Sequence, residues 1–354
     1  MKIAYILPSL VNKGPIVVAN NIIRFLQNKV ELIDVYCFDE TSSSSTLNFG
    51  SNVYQIKKSE PIDFDKYDII HSHTIRADNY LFKWRKKIRR AKIISTIHQD
   101  TFVSFSIEYN KIISFFLTSY WCYIHRYFDG VISISNQLKD KYNWLLSNKM
   151  TTIYNGCNIE ISRPGTELQD SILKFKNQGY KMLCSYAYIT ERKGLVQVID
   201  VLKELTDYGY VIIGEGPELE NLKKKVKTLD LSNRVLFIPF VQSPYLYLEY
   251  IDIYMMPSYS EGFGLAMVEA ALMKKSIVCS NIPSFHEIFT SNEVSFFDLD
   301  NSDSLIKSIK LAYHELDKRS ELANKKANEF FTAEIMANNH LLYYQKMLNQ
   351  SFND

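Results

Sequence analysis

Two carboxylates, Glu261 and Glu269, enclose seven residues in the segment Pro257–Glu269, which reads PSYSEGFGLAMVE. Gly262 and Gly264 let the backbone turn sharply and come close to a ligand. An apolar strand pattern precedes this segment and a helical one follows it. The N–H groups of Gly264, Leu265 and Ala266 would therefore stand at a helix start and point at an anion. The positive end of a helix dipole favours a diphosphate there. Glu269 lies five residues beyond Gly264, a rise of ~7.5 Å, which would bring its carboxylate to a nucleoside ribose. Glu261, ahead of the helix, would face a sugar, and carboxylates are strong acceptors for hydroxyl donors. In the plainer alternative Glu261 only starts a turn and Glu269 is solvated. Met267, Val268, Ala270 and Ala271 around Glu269 argue for burial, and a buried carboxylate needs a partner.

Such a turn needs a strand in front and a helix behind, and the whole chain repeats that order. Apolar runs at 3–7, 33–38, 69–71, 92–97, 131–134 and 152–154 predict strands in the first half. Helical stretches fall between them near 16–28, 76–90, 107–126 and 136–146. In the second half strands are expected at 182–186, 210–213, 235–238, 253–256 and 277–279, with helices near 195–205, 218–229, 264–274 and 303–316. Repeated strand–helix alternation means parallel sheets covered on both faces, here α/β in two Rossmann-like domains. The break is expected in the polar stretch 158–178, around Arg163-Pro164-Gly165, and the run TSSSST at 41–46 reads as a surface loop. The resulting domains are 1–160 and 161–331, with a final helix, in 332–354, returning to the first domain.

The chain has 354 residues, about two domains at ~100–200 residues each. Lys plus Arg number 41 and Asp plus Glu 39, a balance that argues against a dedicated nucleic-acid binder. Cys37, Cys122, Cys157, Cys184 and Cys279 form no C-x-x-C pair and read as reduced core thiols of a cytoplasmic protein. MKIAYILPSL reads as a first strand rather than a signal peptide. The most apolar stretch, Ile112 to Ile124, is about 13 residues against the ~20 needed to span a bilayer. The chain is thus expected to be soluble or to lie on a membrane without crossing it.

The segment EGFGLAMVE resembles the E-x7-E signature of the family 4 retaining glycosyltransferases. Further resemblances follow in family order: Asn155-Gly156, Glu191-Arg192-Lys193-Gly194, Gly214-Glu215-Gly216-Pro217 and Arg234-Val235-Leu236-Phe237. The resemblance implies the GT-B fold, two Rossmann-like domains facing across a cleft. It assigns Glu269 to the ribose and Glu261 to a donor-sugar hydroxyl. Phe263, Gly264 and Leu265 would give backbone N–H groups, Lys193 would pair with the diphosphate, and Ile238 would lie against the base. The family's usual second cation is replaced by Tyr188, which brings no charge, and Arg192 is expected to compensate. Pro283-Ser284-Phe285-His286-Glu287 and Lys275 also depart from the family's common residues and leave the donor unspecified.

On the acceptor side, His71, His73 and His98 fall at expected strand ends, where a cleft residue belongs; the residues alone equally allow loop histidines satisfied by backbone. The resemblance places His98 at the reacting face of the donor sugar after domain closure, with His73 ordering the wall. His98, Glu261 and Lys193 are the expected catalytic set. Gly14-Pro15 resembles the family's acceptor loop and suits a first helical turn. No metal is expected: His71-x-His73 lacks an obvious third ligand, and Asp298-x-Asp300 reads as a polar turn. Lys83–Lys92, KWRKKIRRAK, holds seven basic residues in ten and reads as a basic amphipathic helix that could rest on anionic lipid. The expectation is transfer of a sugar from a UDP- or GDP-sugar to a glycan or lipid-linked glycan hydroxyl, with retention, in O-antigen or capsule synthesis. No cofactor is expected. The rival readings are an epimerase on the same fold and a scaffold that binds sugar nucleotides without catalysis.

Overall fold

The computed structural model describes residues 1–40, 46–146, 149–160 and 166–349. Most of the Ser/Thr run after residue 40 and the Arg-Pro-Gly break at 163–165 lie outside them. The chain forms two compact units, Met1–Asn158 with Phe331–Asp354, and Ile159–Phe330.

The first unit runs β1 (Lys2–Leu7), α1 (Gly14–Leu26), β2 (Leu32–Cys37), β3 (Asn52–Gln55), β4 (Ile69–His73), α2 (Ile75–Trp84) and β5 (Lys92–Ile97). It continues with α3 (Thr101–Glu108), α4 (Lys111–His125), β6 (Gly130–Ser133), α5 (Asn136–Tyr142) and β7 (Met150–Thr152). Its sheet has the order β3-β2-β1-β4-β5-β6-β7, with every pair parallel. The order reverses between β1 and β4, so the crevice beyond their C-terminal ends is the place for a ligand.

The second unit runs α6 (Thr166–Lys176), β8 (Lys181–Tyr186), α7 (Leu195–Val201), β9 (Tyr208–Ile213), α8 (Leu219–Thr228), β10 (Val235–Ile238) and β11 (Ile253–Met256). It ends with α9 (Leu265–Leu272), β12 (Ser276–Ser280), α10 (Pro283–His286), β13 (Ser295–Phe297), α11 (Ser302–His314) and α12 (Leu316–Phe330). The sheet order is β10-β9-β8-β11-β12-β13, again all parallel. Here the reversal lies between β8 and β11. These central strands are buried on both faces, which is why they read as continuous apolar runs rather than alternating ones. Leu183, Val198, Tyr210, Ile253, Met255 and Val278 belong to the core that joins this sheet to its helices.

The last helix, α13 (Ala333–Asn349), packs against α1 in the first unit. Cys157 and Thr332 are bridged there, and a Cβ on Gly156 would stand 2.2 Å from the Thr332 carbonyl oxygen.

Two expectations are corrected. Lys83–Lys92 is not a helix: α2 stops at Trp84, a 3-10 turn covers Arg85–Lys87, and β5 begins at Lys92. Arg85 donates to the Phe82 carbonyl at 2.6 Å, capping α2 so that the chain can turn back into the sheet. Trp84 and Ile88 still pack on the same core. The helix expected over 107–126 is divided at Asn110, whose side chain accepts from Ile113 N at 2.9 Å and starts α4.

Candidate active site

In the second unit, the turns after β8 and β11 stand on either side of the sheet reversal and are tied to each other. Gly194 has φ +61°, and a Cβ there would lie 2.1 Å from the Pro257 carbonyl oxygen. Only glycine allows both the backbone angle and this approach. The amide of Gln197 donates to the Pro257 carbonyl at 3.0 Å, and its oxygen accepts from Asp300 N at 2.9 Å. Tyr259 N donates to the Arg192 carbonyl at 2.9 Å. Gly194→Ala is therefore expected to cost about 2 kcal/mol or more of stability, read as a fall in melting temperature together with loss of nucleotide binding.

This lacing brings Arg192, Lys193 and Glu261 together. Lys193 Nζ donates to Glu261 Oε1 at 2.6 Å, and Ser258 Oγ to the same oxygen at 2.8 Å. Arg192 donates to Glu261 Oε2 at 3.2 Å and to the Ser260 carbonyl. Burial pushes the Glu261 carboxyl up, but Lys193 and Arg192 outweigh it and hold the group below its ordinary range. Glu261 is thus an anion whose lone pairs are aimed by two cations and a hydroxyl.

Gly264, at φ +120°, heads α9, and the Phe285 ring lies 3.1 Å from where its Cβ would be. Phe263 is buried and Leu265 opens the helix. Further along α9, Tyr186 at the end of β8 donates to Glu269 Oε2 at 2.8 Å and to the Ala266 carbonyl at 3.1 Å. Burial raises the Glu269 carboxyl to about 7, against the opposing pull of Tyr186. The far end of α9 is held by Asn324 of α12, whose amide donates to the Ala271 and Leu272 carbonyls at 3.0 Å.

Tyr188 is 69% exposed, whereas Ile238 is buried at the end of β10 with its carbonyl accepting from Gly214 N at 2.9 Å. Asp298 accepts from Asn281 and Asp300 from Tyr259, within a turn. No sequence motif marks Ser258, Tyr186 or Gln197. The signal for Tyr186 was its place as the last residue of a strand beside the sheet reversal.

In the first unit, β4 extends through His73, so His71 and His73 lie inside the strand and not beyond it. His71 bonds the Tyr344 hydroxyl at 2.6 Å and Thr96 at 2.8 Å, and Tyr344 meets Tyr5 at 2.9 Å. His73 Nδ1 lies 2.8 Å from His98 Nε2, one donating to the other. His73 is fully buried, and His98 is half-buried. Burial, opposed by Asp78, takes His98 down to about 3, so it is neutral at neutral pH. Gly14 stands in open space, and Pro15 occupies the first turn of α1. No group of three or more metal-ligating side chains occurs among the described residues.

The second unit matches the family model for glycosyl transferases group 1 over residues 170–329. The first matches that for glycosyltransferase family 4 over residues 15–161. The chain is 31% identical over 363 aligned positions, 99% of each chain, to the O-antigen biosynthesis glycosyltransferase WclY of Escherichia coli. It is 26% identical, over 65% of its length and 63% of the relative's, to the 2-deoxystreptamine N-acetyl-D-glucosaminyltransferase of Niallia circulans. The crystal structure of Anabaena HepE in complex with UDP and glucose has the same fold, with a TM-score of 0.79 at 18% identity, covering 98% of this chain and 99% of that one.

Proposed function

The chain belongs to the family 4 glycosyltransferases, of GT-B fold, and from that premise we propose that it moves a sugar from a UDP- or GDP-sugar to a hydroxyl of a glycan or lipid-linked glycan, with retention and without a metal or other cofactor. The observation that carries the reading is Glu261 clamped by Lys193, Arg192 and Ser258 at the start of α9, with Glu269 further along the same helix. The cations and the helix start take the diphosphate, which is the electrostatic work a metal would otherwise do. Glu261 accepts from a sugar hydroxyl and Glu269 from the ribose. As the bond from the anomeric carbon to the diphosphate oxygen breaks, the acceptor oxygen attacks from the same face. Its proton passes to the departing diphosphate. The enzyme positions the substrates and stabilises the leaving group. The resemblance alone assigns His98 to the reacting sugar, Gly14 and Pro15 to the acceptor, and Ile238 to the base.

Similarity to an O-antigen enzyme over 99% of both chains supports polysaccharide assembly as the setting. No described helix is long and apolar enough to cross a membrane. The cations of Lys83–Lys92 support contact with an anionic membrane surface, where a lipid-linked acceptor would be met.

The test is product analysis with a panel of nucleotide sugars and a glycan acceptor, with and without a chelator. Transfer with an axial or equatorial bond matching the donor's, unaffected by chelator, is expected. Inversion, or loss of activity with chelator, overturns the corresponding part. Arg192→Ala should raise the donor KM about tenfold, because a cation bonded to Glu261 and facing the diphosphate is lost. An unchanged KM would show that Arg192 does not replace the charge absent at Tyr188.

A further inference from the structure

Helix α4 is apolar on the face it turns to water. Its inward face mixes apolar and polar residues, Ser114, Thr118, Trp121, Cys122, Ile124 and His125, all buried. Its outward face carries Ile112 (70% exposed), Phe115 (60%), Phe116 (66%), Tyr120 (47%) and Tyr123 (47%). A surface helix in water normally has the opposite arrangement. The inward polarity is accounted for. Asp78 of α2, fully buried, accepts from Trp121 Nε1 at 2.9 Å and lies 3.4 Å from His125 Nε2. Ser72 and Ser95 also donate to Asp78, at 2.6 and 2.8 Å. This network fixes the orientation of the helix and so fixes the aromatic face outward. Contiguous exposed apolar area of this kind marks a binding surface.

The surface around it names the partner. Past the C-terminal end of α4, Tyr127 helps line an open hollow of about 320 Å³. Arg85, Lys86, Arg89, Arg90 and Lys92 line it against one carboxylate, Asp129. The Arg85 guanidinium lies 5.0 Å from the centroid of the Tyr127 ring, joining the basic hollow to the aromatic face. No Asp or Glu occurs in α4. The hollow stands at the start of β5 and His98 follows its end, six residues on, or ~20 Å along the strand. The hollow therefore lies at the opposite end of the sheet from the candidate acceptor residues.

We propose that the outward face of α4 and the hollow at Arg85–Lys92 form one bilayer-docking surface. The aromatic and aliphatic side chains enter the headgroup–acyl boundary, and lipid phosphates occupy the hollow. Anionic phospholipid satisfies both halves, since it offers phosphate to the cations and apolar depth to the phenyl rings. A second copy of the chain presenting its own α4 would bring no carboxylate to the hollow, since α4 holds none. The inference rests on the reading of Lys83–Lys92 as membrane-facing and adds that α4 inserts.

The full chain is tested by flotation with vesicles of phosphatidylglycerol or of phosphatidylcholine. All five native cysteines are buried, so a Phe116→Cys variant accepts an environment-sensitive fluorophore at one site. Binding to the anionic vesicles and a blue shift of the probe are expected, with neither on phosphatidylcholine. Phe115→Ser/Phe116→Ser should weaken partitioning at least tenfold. Lys86→Glu/Arg89→Glu/Arg90→Glu should weaken it about a hundredfold or more. Both variants should melt as the parent does, since every residue changed is exposed. Flotation without a blue shift, and unchanged by the serine pair, overturns insertion of α4 and leaves contact through Lys83–Lys92 standing. No flotation overturns both. Self-association lost in the serine pair, with flotation unchanged, also overturns the proposal in favour of a second copy of the chain.

Discussion

Glu261→Gln should lower kcat by about two to three orders of magnitude while the free nucleoside diphosphate binds as tightly as before, or more tightly. The split follows from the charges around the turn. Glu261 now neutralises one of the two cations, Lys193 and Arg192, that reach it. Glutamine keeps the shape and an acceptor for Ser258 but removes the anion, so the turn changes from one net positive charge to two. A diphosphate gains from that change. The sugar hydroxyl instead loses a charged acceptor, and a hydrogen bond to a charged group is worth ~1.5–3 kcal/mol. Titration calorimetry with UDP and GDP, beside steady-state kinetics, separates the two effects. A parallel fall in nucleotide affinity, kcat and melting temperature would mean that Glu261 only holds the turn together.

That carboxylate was legible in the sequence because its chemistry is local. Two glycines, a strand before and a helix after are all written within the twenty residues 253–272. The strands Lys92–Ile97, Val235–Ile238 and Ile253–Met256 were legible to the residue for a related reason. The first and third are buried along most or all of their length and the second at both its ends, so each stands out as a short run dominated by apolar residues. What sequence patterns missed are elements whose burial comes from elsewhere. Strand β3 is exposed at all four residues and is held by pairing to β2 and by Asn52 bonding Asp34 at 3.0 Å. Helix α12 is mostly polar, yet its Arg319 is buried and donates to the Ser291 and Val294 carbonyls at 2.8 Å.

The partners within the site were hidden in the same way. Ser258, three residues before Glu261, looks like any turn serine until the turn closes on itself. Tyr186 is 83 residues from Glu269, and only the β8–β11 register brings them together. The basic segment shows the converse. Its composition marks a basic surface, but the helical pattern runs on through Arg85, where the chain turns into β5.

The link between Tyr186 and Glu269 gives the second large effect, a dependence of donor binding on pH. Burial holds the Glu269 carboxyl at about 7 in the free protein, far above its ordinary value. The protonated form is therefore the one the folded state favours. Its contribution to stability is full below the ordinary carboxylate range and is lost as pH rises through about 7. Ribose hydroxyls donate, so they bind the ionised form. Nucleotide affinity should rise with pH and level off above 7, and at pH 6 it should be about tenfold weaker than on the plateau. Calorimetry near pH 7, in buffers of different ionisation enthalpy, should record the release of about half a proton on binding. Tyr186 favours the anion, so Tyr186→Phe should move the whole profile to higher pH without abolishing it. Glu269→Gln should flatten it at an affinity about a hundredfold below the parent's plateau, from the loss of charged hydrogen bonds to the ribose. A parent affinity that does not change between pH 6 and pH 8 would remove Glu269 from the ribose. Flattening by Tyr186→Phe alone would assign the proton to the tyrosine's partner network instead of the carboxylate.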